Sequence, residues 1–134
     1  MAELAHWWTQ ELAGAMPPDP GCGEIAVLDG GYLARQCLGD TALEHELLEL
    51  FAVQARALCA ALHDMRGRPA AGADVAHRLK GAAAAVGAAR VAAHAARLEA
   101  LQRGGAATGA PHEVACLEQA VDDACAAIAR RLAA

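Results

Sequence analysis

The chain has 134 residues, a mass of 13.7 kDa and a formal net charge of -5, which suits one domain with a modest core and a mildly acidic surface. Such a surface has no general attraction for a phosphate backbone, and no apolar run approaches the roughly 20 residues that span a bilayer, so neither nucleic-acid binding nor a membrane segment is expected. Alanine supplies 38 residues while aromatic and β-branched residues are sparse; alanine is the best helix former and sheets favour the missing types, so the fold class is expected to be all-α.

Residues 1–24 read as an extension. A short helix over about 3–15 would carry Leu4, Trp7, Trp8 and Leu12 on one side, and Pro17, Pro18, Pro20, Gly21 and Gly23 make 16–24 a linker. That helix would cap the domain or dock another protein. From 25 to 134 the pattern is that of one helical domain.

A short helix is expected from near Asp29 to about Gly39. The next starts at Thr41-Ala-Leu-Glu44, which has capping-box spacing, with Asp40 as a competing N-cap. Leu43, Leu47, Phe51, Leu58, Leu62 and Met65 then recur at helical intervals until Gly67 and Pro69 close the segment. Further helices are expected over about 70–86, about 88–103 with Val91, Ala95, Leu98 and Leu101 inward, and about 111–132 with Val114, Leu117, Val121, Ala124, Ile128 and Leu132 inward. Gly87 separates the first two, and Gly104-Gly105 to Pro111 is the clearest loop. Four long amphipathic segments with short connections imply an antiparallel four-helix bundle with additional short N-terminal helices. Leu, Ile, Val and Phe contribute only 26 residues, so its stability should be modest.

The cysteines at 22, 37, 59, 116 and 125 form no CxxC pair. With no basic-apolar leader, they are expected to be small core residues in a reducing cytoplasm, not disulfides. His6, His45, His63, His94 and His112 are expected to be surface or packing residues, with His94 partly inward, and no metal site is expected.

His77 stands apart. With its direction taken as zero on a helical wheel, Val75, Leu79, Ala82 and Val86 fall between about 140° and 200°, so the imidazole should face outward. Lys80 falls near about -60°, Gly81 near about 40°, Ala84 near about -20° and Ala88, if the helix reaches it, near about 20°. Glycine inside a helix costs roughly 1 kcal/mol relative to alanine, the default filler here, so Gly81 suggests an object that approaches the backbone closely. A phosphoryl-bearing partner is such an object. A neutral imidazole is nucleophilic, and Lys80 could offset charge on the transferring oxygens. The competing reading is an ordinary exposed histidine beside a solubilising lysine.

His77-Arg78-Leu79-Lys80-Gly81, then Gly87, Val91 and Glu99, together with the upstream Leu38-Gly39-Asp40 and Phe51, resemble the signature of histidine-containing phosphotransfer (HPt) domains over about residues 25–132. The resemblance implies a four-helix bundle whose second helix exposes the active histidine, here His77, phosphorylated on Nε2. It further implies Lys80 beside the phosphoryl group and Gly81 giving clearance to the partner. Implied partners are response-regulator receiver domains, whose aspartates exchange the phosphoryl group with His77 and which bring Mg²⁺, and a hybrid histidine kinase. The protein would then be a phosphoryl carrier rather than an enzyme, with no intrinsic cofactor, and the chain has no Walker-type motif. Ala84 or Ala85 stands where the family often has a bulkier residue, and Val91 replaces a more usual leucine.

Around this centre Arg78, Lys80 and Arg90 could form a basic patch for the acidic rim of a receiver, with Ala84, Ala85 and Ala88 as the apolar part of a small transient interface. A cytoplasmic monomer is expected. The alternative is a helical regulator or scaffold that binds a kinase or receiver without carrying phosphate.

Overall fold

The computed structural model describes residues 26–105 and 109–134; the expected helix over 3–15 and its linker lie outside them. Among the described residues there are five helices: α1 (Gly30–Gln36), α2 (Thr41–Asp64), α3 (Pro69–Val86), α4 (Ala89–Arg103) and α5 (Ala110–Ala133). Each long helix packs on the next, and α5 returns to α2, so α2 to α5 close a four-helix bundle with α1 lying against α2 and α3. The short turns force successive long helices to run antiparallel.

Local chemistry sets the boundaries. Asp29 caps α1 by accepting from the Tyr32 N–H at 3.0 Å, and Asp40 caps α2 by accepting from the Leu43 N–H at 3.1 Å. Asp40, not Thr41, therefore holds the N-cap. Glu44 does not close a capping box but turns inward, where Arg131 of α5 donates to it at 2.8 Å. Pro69 opens α3, and Gly87 ends it in the left-handed region at φ 78°. A Cβ on Gly87 would also lie 2.9 Å from the Asp29 backbone oxygen, while the Asp29 N–H donates to the Gly87 carbonyl at 2.9 Å. That turn thus anchors the start of α1, and only glycine meets both its torsion and its clearance.

The core is thin and alanine-rich. Leu33, Leu48, Leu79, Leu98, Leu117, Ile128, Val91 and Val121 are its largest enclosed side chains. Ala73, Ala76 and Ala83 of α3 meet a helix whose Ala92, Ala93, Ala95 and Ala96 are also buried, and α3 and α4 form the most extensive pairing in the bundle. Small side chains at such a seam allow two helices to approach closely. The expected inward residues of α4 and α5 hold well, apart from half-buried Leu101, Val114 and Leu132. In α2 the buried stripe is rotated from the expected one: Leu48, Ala55 and Cys59 join Phe51, Leu58 and Leu62, whereas Leu43 is exposed and Leu47 and Met65 are half-buried.

Candidate functional site

α3 carries His77 outward, as its wheel position requires, since Val75, Leu79 and Val86 are spent on the core. The imidazole is 61% exposed, and its Nδ1 lies 3.0 Å from Oε2 of Glu99 on α4. Lys80, one turn on, donates from Nζ to the other oxygen, Oε1, at 2.9 Å. Arg103 donates from Nε to Oε2 at 3.0 Å and from a terminal nitrogen to Asp74 at 3.2 Å. Glu99, only 12% exposed, is thus the hub of a surface cluster that bridges α3 and α4.

Burial alone would raise the Glu99 carboxyl, but the hydrogen bonds from Lys80 and Arg103 and the charges of Lys80 and His77 outweigh it and hold it below the ordinary glutamate value. An ionised carboxylate only accepts, so the Nδ1 facing it carries a hydrogen, and whenever the ring is neutral its lone pair is on Nε2. Glu99 therefore fixes which ring nitrogen faces it and leaves Nε2 toward solvent, an orienting contact of the kind acidic partners make with imidazoles.

Around the imidazole, Arg78 and Gly81 are exposed and Ala84 and Ala85 are half-buried. A Cβ on Gly81 would meet nothing within 4 Å, so the chain's own packing does not ask for glycine there. Two residues of the expected surface lie elsewhere. Ala88 is fully buried, because α3 ends at Val86 and the chain turns inward before Ala88 could extend the same face. Arg90 is mostly covered and reaches toward Asp123 of α5, with 3.8 Å between them. Lys80 is held by Glu99 instead of standing free beside the imidazole.

A second cluster was not expected from sequence. His94 of α4 is buried, with Nδ1 2.7 Å from Oε2 of Glu113 on α5, and Arg97 donates to Oε1 of the same carboxylate at 2.8 Å. Burial pushes Glu113 up, but hydrogen bonds and charges from His94 and Arg97 prevail and hold it below the ordinary value. His94, Glu113 and Cys116 place ligand-type atoms within 4.8 Å of one another. The signal that could have drawn notice is His112-Glu113 with Cys116 one turn on. No helix among the described residues is long and apolar enough to cross a membrane.

The Hpt domain family profile matches residues 41–127, spanning α2 through most of α5. No curated protein matches the sequence significantly. Among solved structures, the crystal structure of histidine-containing phosphotransfer protein B (HptB) from Pseudomonas aeruginosa PAO1 aligns over 78% of this chain and 93% of that one, with a TM-score of 0.74 and 23% identity. That likeness concerns the fold, and the family match covers the helices that build the His77 cluster. The chain therefore belongs to the Hpt domain family, the phosphoryl carriers of phosphorelays.

Proposed function

We propose that His77 is the residue that carries the phosphoryl group, through Nε2, and that it exchanges it with an aspartate of a response-regulator receiver domain. The observation that carries this reading is the exposed His77 ring with Nδ1 bound to ionised Glu99. In the acceptor direction Nε2 attacks phosphorus, the Nε2–P bond forms, and the bond from phosphorus to the aspartyl oxygen breaks with its electron pair returning to the receiver's carboxylate. Positive charge builds on the ring as this happens, and the Nδ1–H to Glu99 hydrogen bond offsets it. Lys80 and Arg103, both attached to Glu99, supply cationic groups that can turn toward the incoming phosphoryl oxygens. The receiver contributes its own Mg²⁺, and this chain contributes the nucleophile and its orientation.

Gly81, Arg78 and the half-buried methyls of Ala84 and Ala85 then form the docking surface, small and suited to transient contact. A hybrid histidine kinase is the proposed source of the phosphoryl group upstream. A cytoplasmic setting fits the thiols: among the described residues Cys37, Cys59, Cys116 and Cys125 form no disulfide, and burial, then nearby Glu118 and Asp122, push Cys59 up to about 11, which makes it a poor nucleophile.

The test is phosphoryl transfer from receiver domains loaded with labelled aspartyl phosphate, to the wild type and to His77→Gln. Label that enters only the wild type, and is acid-labile but base-stable, supports the carrier at His77. Label that enters both proteins, or a receiver that binds without transfer, would overturn it, the second result favouring a phosphate-independent regulator.

A further inference from the structure

The second histidine cluster lies on the other side of α4 from Glu99, against α5, and phosphoryl transfer makes no use of it. We propose that it is a zinc-class metal site, with His94, Glu113 and Cys116 as ligands and His112 as a fourth. His94 and Glu113 are both buried and Cys116 is half-buried, and one ligand atom from each lies within 4.8 Å of the others. His112 stands one helical turn before Cys116 on the same face of α5, its Nε2 3.5 Å from Sγ. Two helices thus bring an imidazole nitrogen, a carboxylate oxygen and a thiol sulfur within 4.8 Å of one another, and the exposed His112 adjoins this group through Cys116.

The donor chemistry selects the metal. Mixed nitrogen, sulfur and oxygen donors suit zinc and its cobalt substitute, whereas magnesium and calcium take oxygen ligands. Four such ligands around a tetrahedral centre stand roughly 3.4 Å apart, given metal bonds of about 2.0 to 2.3 Å. The His112 to Cys116 separation of 3.5 Å already matches. The His94 to Glu113 hydrogen bond, at 2.7 Å, would open by under about 1 Å to admit the ion.

The balance of charge and protons also closes. On binding, the Cys116 thiol releases its proton to solvent and becomes a thiolate, and a neutral His94 ring loses its Nδ1 hydrogen to solvent and takes one up on Nε2, so that one proton is released in all. A divalent ion then faces one thiolate and one carboxylate, a neutral set, and Arg97 remains on the far oxygen of Glu113 at 2.8 Å, orienting the ligand as supporting groups do in metal sites. An ion held this way would clamp α4 to α5 in a bundle whose core is short of large side chains.

The reduced, metal-free full chain would be titrated with Co²⁺ and then with Zn²⁺, following the sulfur-to-cobalt charge-transfer absorption and the thermal midpoint. The expected result is one ion per chain, displacement of cobalt by zinc, and a raised midpoint. Cys116→Ser should abolish the sulfur band and weaken binding by about tenfold or more, His112→Gln should weaken it less, and Cys22→Ser should change neither. Because His94→Gln disturbs a buried ion pair that the bundle itself uses, Cys116→Ser carries the decision, and phosphoryl acceptance at His77 should persist in it as a sign of an intact bundle. Absence of a sulfur band in the wild type, or a band that survives Cys116→Ser, overturns the site.

Discussion

His77 with Glu99 and His94 with Glu113 are two versions of one arrangement. In each, an imidazole Nδ1 meets one oxygen of a glutamate while a cationic side chain holds the other oxygen, Lys80 in the first case and Arg97 in the second. What separates them is access: the His77 side chain is 61% exposed and that of His94 is 4% exposed. The same acid-supported imidazole is open to a partner in the first case, as the proposed carrier role requires, and joins two helices away from solvent in the second. A single helix, α4, contributes to both, with Glu99 on one face and His94 and Arg97 on another.

The largest break in this comparison should come from His77→Gln, which removes the ring nitrogen proposed to carry the phosphoryl group. Transfer should fall to background in a labelled-phosphate assay, while the unfolding free energy changes by under about 0.5 kcal/mol because the side chain is exposed. Glu113→Ala should do the reverse. Breaking a buried ion pair from one side typically costs about 3 to 5 kcal/mol, so in the presence of a chelator urea unfolding should show a loss of about that size, with the folded fraction still accepting phosphate.

Glu99→Gln keeps the shape of the surface cluster but removes its charge, so a neutral amide can no longer dictate which ring nitrogen carries the hydrogen. Transfer should slow by about tenfold, with its pH profile altered; an unchanged rate would show that His77 reacts without Glu99's help. The same residue makes an acid-stability prediction. Its carboxyl is held below the ordinary value in the fold, so its contribution is complete above the unfolded carboxyl value of about 4.3 and is lost as pH falls through the lower folded value. Below the unfolded value, the stability difference between wild type and Glu99→Gln should shrink; a constant difference would refute the linkage.

The smallest effect is the most discriminating. Gly81 lies in open space within a helix, so Gly81→Ala should raise stability by up to about 1 kcal/mol while weakening transfer from a receiver. A larger side chain at the same place, as in Gly81→Gln, should weaken transfer further. If both variants transfer normally, the glycine does not provide clearance.

Much of this was written locally. The limits of α3 follow from Pro69 and Gly87, the start of α2 from Asp40, and the outward setting of His77 from the bulky residues opposite it. The face of α2 was misjudged because alanines interleave with leucines there, leaving two stripes of nearly equal hydrophobicity. Choosing Leu48 and Ala55 over Leu43 and Met65 depended on what α3 and α5 present. Ala88 was misplaced by extending a wheel past the residue at which the helix ends.

Glu99 was visible as a member of a family signature, but its grip on His77 and Lys80 spans 22 and 19 positions of sequence. His94 and Glu113 lie 19 apart, with no local pattern joining them. Periodicity, caps and turn residues act within a few positions, so the residues alone determined which helices form among the described residues, where they stop and that His77 points out. Which carboxylate meets which imidazole depends on the axial register between helices, and methyl-lined faces encode that register weakly; only the packing of α3 on α4 and of α4 on α5 decided it.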